Sequence, residues 1–196
     1  MKKADYKNLS NIISNSKRIN IVGSSGCGKS TFGNNLAMAL NFPFIEMDQI
    51  FWGPNWYYPP DEEFFPKLEN RLSGESWVLD GNYTRTIPIK WKNIQTVIWL
   101  DYSIFRIIFQ AFKRAILRII SKKEFWPGTG NIETFKRSFL SKNSIILWSL
   151  SNLFKVKRKY NKIMTNPKYS YIKFIKLKSP RVANILLKNI LNKNTA

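Results

Sequence analysis

Gly23-Ser24-Ser25-Gly26-Cys27-Gly28-Lys29-Ser30 decides the reading of this chain: two glycines frame four residues, then a lysine and a hydroxyl follow at once. The pattern is G-x-x-x-x-G-K-[ST] with every fixed position filled. An apolar strand, Arg18 to Val22 (RINIV), precedes it, and Lys29 to Asn41 follows with Phe32, Leu36, Ala39 and Leu40 at helical spacing. Glycines are needed because consecutive backbone N–H groups must curl around an anion, where Cβ atoms would intrude. The helix that follows points its partial positive end at the same anion. On this reading residues Gly23, Ser24, Ser25, Gly26, Cys27, Gly28, Lys29, Ser30 and Thr31 bind a nucleoside triphosphate. Lys29 reaches the outer phosphates and the Ser30 hydroxyl ligates Mg²⁺, so ATP and Mg²⁺ are the expected cofactors. Cys27 reads as a small tolerated residue, or as a thiol acidified by the helix start.

Working outward, short apolar strands alternate with helices. Phe44 to Met47 is the second strand and ends at Asp48; Trp77-Val78-Leu79 is the third and ends at Asp80-Gly81. Thr96 to Leu100 is the fourth, ending at Asp101, and Tyr171 to Leu177 the fifth. Asp61 is placed to cap a helix through about Leu72, and Pro180 or Arg181 opens a final one. Between strands four and five lie a basic helix from Ser103 to Lys123 and a second helix from about Ile132 to Tyr160, broken near Ser149 to Asn152. The expectation is an α/β fold: a five-stranded parallel sheet with helices on both faces, in one domain over residues 1–196, with a basic helical lid at about 103–165.

The counts narrow the chemistry. The 196 residues carry 32 Lys plus Arg against 12 Asp plus Glu, one cysteine and no histidine. Disulfide frameworks, cysteine-rich zinc sites and every His-dependent catalytic arrangement are thereby excluded. The 44% hydrophobic content is too high for a disordered polycation, so a packed core is expected. The net charge of +20 is lopsided, with +2 in residues 1–98 and +18 in residues 99–196. Ala4 to Asn15 lacks a continuous apolar core, and Ile104 to Ile120 is interrupted by Arg106, Gln110, Lys113, Arg114 and Arg118. Neither a secretory signal nor an integral membrane segment is expected, and the expected location is cytoplasmic.

In an open parallel sheet the carboxyl ends of the strands form the ligand crevice, so Asp48, Asp80 and Asp101 are candidate site acids. Asp80 reads as the acidic partner of Mg²⁺ beside Ser30, or as a turn-forming Asp-Gly. Asp48 reads as the group that holds an acceptor hydroxyl and takes its proton, or as a strand-ending turn. Asp101 reads as a cap for the basic helix. Phe51, Trp52, Trp56, Tyr57 and Tyr58 either stack on a ring-bearing acceptor or brace the loop against the core, with Asn82, Tyr83 and Arg85 as polar contacts. On the basic helix, Arg114 and Arg118 are placed to neutralise the transferring phosphoryl group. The same face, with Lys155-Val156-Lys157-Arg158-Lys159, also fits a nucleic-acid backbone, a lipid interface or a solvated helix.

The stretch Val78 to Thr86 (VLDGNYTRT) is similar to the strand-end motif of adenylate kinases, with one extra residue between Gly81 and Arg85. More of the chain resembles the topology modulation (FlaR-related) proteins, through Gly23 to Ser30, Asp48 to Trp56 (DQIFWGPNW), Asp80 to Arg85, Trp99-Leu100-Asp101, Glu124-Phe125-Trp126 and Leu177 to Arg181 (LKSPR). The resemblance implies the nucleoside-phosphate-kinase type of P-loop fold, with a mobile lid after the fourth strand. It also implies that Leu177 to Pro180 packs near the nucleotide base. Two functions follow as expectations. One is a kinase that moves the γ-phosphoryl group of ATP to a small acceptor, using Lys29, Asp48, Asp80, Arg114 and Arg118, with Trp52, Asn82, Tyr83 and Arg85 lining the acceptor side. The other is a nucleic-acid-associated ATPase or nucleotide-gated DNA-binding protein.

Overall fold

The computed structural model describes residues 3–121, 124, 128–132 and 145–194. Five strands, β1 (Arg18–Gly23), β2 (Phe44–Glu46), β3 (Trp77–Asp80), β4 (Thr96–Leu100) and β5 (Lys173–Leu177), form a parallel sheet in the order β2-β3-β1-β4-β5. All four pairings are parallel, and the chain reverses its direction of growth across β1, so the switch point lies at the end of the strand that carries the glycine loop.

Both faces are buried, as the continuous apolar runs require. Along β1, Ile19 and Ile21 face one core, which they share with Leu36 of α2 (Lys29–Leu40), Ile13 of α1 (Lys3–Ser14) and Leu186 of α8 (Pro180–Asn194). Val22 faces the other, with Leu79, Trp99 and Phe64 of α4 (Asp61–Arg71). The remaining helices are α3 (Met47–Phe51), α5 (Ile87–Lys90), α6 (Ile104–Ser121) and α7 (Ile145–Met164). Asn20 is the one fully buried polar residue of β1. Its Nδ2 donates to the carbonyls of Leu79 and Gly81, and its Oδ1 accepts from Trp91 Nε1 at 2.9 Å. A buried amide is tolerated because its groups are satisfied, and here it ties the ends of β1 and β3 together.

Several elements differ from the sequence reading. The second strand stops at Glu46 and Asp48 lies in the first turn of α3, because the close approach of Met47 to Gly81 turns the chain over the strand ends. A Cβ on Gly81 would stand 2.3 Å from Met47 Sδ, so the site tolerates only glycine. Asp61 does not cap α4. Pro60 holds that position, and Asp61 starts the helix with its carboxylate paired to Arg85. Asp101 binds Lys157 Nζ at 3.2 Å and Lys176 Nζ at 3.1 Å, an ion pair across elements in place of a cap. Ile132 bridges Glu124 in antiparallel fashion. From Ile145 the helix runs unbroken through residues 149–152. Phe125, Trp126 and residues 133–144 lie outside the described residues.

Candidate functional site

The glycine loop takes the backbone path that its residues permit. Gly28 has φ 92°, a left-handed conformation that an L side chain resists, and its missing Cβ faces open space. Lys29 folds back across the loop, its Nζ donating to the Ser24 carbonyl at 3.1 Å. Both arms of the loop are held from outside. Asn82 Oδ1 accepts from the Gly23 N–H at 3.0 Å while its Nδ2 donates to the Gly23 carbonyl. Arg114 on α6 donates to Ser25 Oγ at 3.3 Å, which places one arginine of that helix against the loop. The open cleft between the loop and α6 measures about 670 Å³ and is lined by Gly26, Gly28, Lys29, Ser30, Thr31 and Arg114 among others. That volume is within the ~300–1,000 Å³ range of small-molecule sites.

Beneath the loop, the Ser30 hydroxyl donates to Asp80 Oδ2 at 2.6 Å. Asp80 is 7% exposed, and its Oδ1 is buried with no hydrogen-bond partner among the described residues. Burial raises its pKa despite Lys29 and Ser30, which pull the other way, with Asp48 adding to the rise. An orphaned carboxylate oxygen beside a serine hydroxyl is the donor set a hard cation needs, so the residues fit Mg²⁺. Glu46 joins them: it pairs in register with Asp80 across β2 and β3, which sets a second carboxylate beside the first. Burial raises its pKa too, then the neighbouring Asp80. In the sequence it stands inside the run Phe44 to Met47, two residues before Asp48.

Asp48 is exposed at the crevice and accepts a hydrogen bond from the Tyr83 hydroxyl at 2.7 Å. Burial, then the facing Asp48 charge, pushes the Tyr83 phenol well above its ordinary range, so Tyr83 stays a neutral donor. The surroundings of Asn82, Arg85 and Cys27 are equally specific. The Asn82 amide is engaged by Gly23 and by the Tyr160 hydroxyl at 3.3 Å. Arg85 sits 2.5 Å from Asp61 Oδ1, with its guanidinium 5.1–5.6 Å from the ring centres of Phe51, Tyr58 and Phe64. Cys27 is 1% exposed and burial raises its pKa, so the thiol is a packed residue rather than an acidified one.

Ring contacts lace the aromatic segment together. Phe51 meets Trp52, Tyr58 and Phe64 edge to face with ring centres 4.8–5.0 Å apart, and Trp52 meets Trp56 at 5.8 Å. Arg118 lies on α6 one turn beyond Arg114, and its side chain is outside the described residues. Lys90 was not anticipated, and Lys159 takes a place that the basic cluster did not foretell. Lys90 is 1% exposed and donates to the Gly81 carbonyl at 3.0 Å; burial, then Lys159, holds its pKa well below the usual lysine value. Lys159 on α7 donates to Thr84 Oγ1 at 2.6 Å and the Asn82 carbonyl at 3.3 Å, and burial lowers its pKa to about 8.

Comparison with known proteins places this geometry. The shikimate kinase family model matches residues 25–53, from within the loop to just past Asp48. A shikimate kinase from Synechococcus sp. (strain RCC307) is 33% identical over 95 residues, which are 41% of this chain and 49% of that protein. The chain thus spans about half the length of the curated relative it matches. Among solved structures, shikimate kinase from Acinetobacter baumannii in complex with shikimate aligns with a TM-score of 0.53 at 16% identity, covering 95% of this chain and 97% of that one. Shikimate kinase from Bacteroides thetaiotaomicron aligns with a TM-score of 0.51 at 14% identity, covering 92% and 99%. The fold is that of the P-loop kinases.

Proposed function

We propose that the chain is an ATP-dependent phosphotransferase that moves the γ-phosphoryl group to a hydroxyl of a small acceptor. The observation that carries the reading is the Ser30–Asp80 pair with its orphaned Oδ1, set under a loop whose other side meets a lid arginine. The triphosphate would lie in the loop, with Lys29 leaving the Ser24 carbonyl to meet the outer phosphates. Ser30 and Asp80, with Glu46 behind them, would hold Mg²⁺, which when bound offsets charge on the phosphates. Asp48 is the acceptor-side carboxylate. As the acceptor oxygen bonds to the γ-phosphorus and the bond to the β-phosphate oxygen breaks, Asp48 takes the hydroxyl proton and ADP leaves. The Tyr83 hydroxyl fixes the orientation of that carboxylate. Arg114, with Arg118 on the next turn, supplies positive charge where the transition state spreads negative charge over three oxygens.

The curated relative is named a shikimate kinase, and a hydroxylated carbocyclic or sugar-like acid is therefore the first acceptor class to try. The protein is incubated with Mg·ATP and a panel of such acids, nucleosides and sugars, and phosphorus NMR follows the products. A new phosphomonoester signal that depends on Asp48 supports the reading; ATP consumed to free phosphate with every acceptor overturns it.

A second reading rests on the charge distribution, +18 in residues 99–196, and on the resemblance to topology modulation proteins. Under it the chain is a cytoplasmic nucleic-acid-associated ATPase, and hydrolysis rises with added DNA and collapses with salt.

A further inference from the structure

A second cleft, of about 740 Å³, opens between α7, the segment around Thr84 and the turn at Tyr169, and it shares no lining residue with the cleft at the glycine loop. Lys155, Arg158, Lys159 and Lys162 line it from α7, at the i, i+3, i+4, i+7 spacing of one helix face. No carboxylate lines it among the described residues. Four like charges on one face repel each other, and the neighbouring Lys157 shows what relief looks like, since it is paired with Asp101. Rings complete the wall. Phe154 is 63% exposed at the mouth, and Tyr169 stands deeper, its ring held edge to face by Trp91 at 5.3 Å.

We propose that this cleft binds a phosphate ester that carries an aromatic or planar ring, and that occupancy is relayed to the nucleotide loop. The phosphate dianion meets the α7 cations and the ring lies against Phe154 and Tyr169. The ligand is a small molecule rather than a polymer, because the volume suits one nucleotide-sized body and one of the four cations points inward to the protein. That cation, Lys159, is the start of the relay. Its ammonium holds the Asn82 carbonyl and Thr84 Oγ1, and the Asn82 amide holds both backbone groups of Gly23. An anion that draws Lys159 outward therefore loosens the clamp on the first glycine of the loop. Partial burial, which leaves the Lys159 pKa at about 8, gives that ammonium further reason to accept an anion.

Phenyl phosphate is the probe, titrated calorimetrically into the full chain, with phenol and inorganic phosphate as separate arms. Phenyl phosphate is expected to bind at one site, about tenfold or more tightly than either fragment. The site is then located with two variants. Binding should survive Lys29→Ala and weaken by about tenfold or more in the double variant Arg158→Glu, Lys162→Glu, whose exposed positions leave the fold intact. Binding lost with Lys29→Ala yet kept in the double variant places the ester in the glycine loop and overturns the proposal. No saturable binding overturns it as well. So does a single-stranded oligonucleotide that displaces the ester with affinity growing with length, since the surface then serves a polymer. For the relay, saturating phenyl phosphate should change ATP affinity, and Lys159→Gln should abolish the change while retaining the ester. Unchanged ATP affinity in the wild type removes the relay. Failure of ATP to bind at all bears on the loop reading alone, because the ester titrations use no nucleotide.

Discussion

Replacing Asn82 with alanine removes the amide that joins β3 to the glycine loop. Two hydrogen bonds to Gly23 and one from Tyr160 disappear together. A net hydrogen bond contributes about 1 kcal/mol, and a buried N–H left without a partner costs roughly 1–3 kcal/mol, so with Asn82 itself only half-buried the loss should be about 2–4 kcal/mol. Because the loop entrance is what loosens, nucleotide affinity should fall as well, by about tenfold for each 1.4 kcal/mol expressed in the bound geometry. Urea unfolding followed by far-ultraviolet circular dichroism gives the first quantity, with the denaturant slope unchanged, and calorimetry the second. Asn82→Asp sharpens the test. It keeps an acceptor for the Gly23 N–H but sets a carboxylate against the Gly23 carbonyl, so it should destabilise at least as much as alanine. If Asn82→Ala matches the wild type in both stability and ATP affinity, the clamp does not hold the loop and the relay from Lys159 falls with it.

Asp80→Asn keeps the size of the side chain and removes the charge that the buried Oδ1 would offer to Mg²⁺, so the magnesium-dependent part of ATP affinity should drop on the order of tenfold or more. An ATP titration at several magnesium concentrations reads that loss. Asp48→Asn should lower kcat by roughly a hundredfold with ATP affinity nearly unchanged, whereas Tyr83→Phe, which only frees the carboxylate, should cost about tenfold or less. Steady-state rates with the acceptor found in the screen separate the two. Lys90 and Lys159 have folded pKa values below the ordinary lysine value, so the unfolded chain binds more protons and stability should rise as pH increases from about 8 toward 10. Above pH 10 the raised phenol pKa values of Tyr83, Tyr102 and Tyr160 act in the opposite sense, and stability should fall. Unfolding measured across that range, with Lys159→Met showing a shallower rise, checks both signs.

What could be read from the chain was what is local. The loop, the strand before it and the helix after it are fixed by neighbours in sequence, and Gly28 at φ 92° is where the motif puts a glycine. The sheet was legible because buried parallel strands are continuous apolar runs. Helix α1 was less legible: Tyr6, Leu9 and Ile13 lie at helical spacing in an otherwise polar segment, and only packing on the core shared with α8 gives that spacing its meaning. Contacts distant in sequence stayed hidden. Nothing in Lys159 announces a bond to Asn82, 77 positions away, and nothing in Arg85 announces Asp61. Glu46 could be placed beside Asp80 only once β2 was known to lie next to β3.

The central claim is that the loop around Gly26 encloses a magnesium-bound triphosphate. Isothermal titration of Mg·ATP into the full chain tests it most directly. The expected result is a one-to-one binding isotherm that weakens by at least about tenfold in Lys29→Ala. The absence of binding heat in the wild type at every temperature tried, or an isotherm identical in Lys29→Ala, would contradict it.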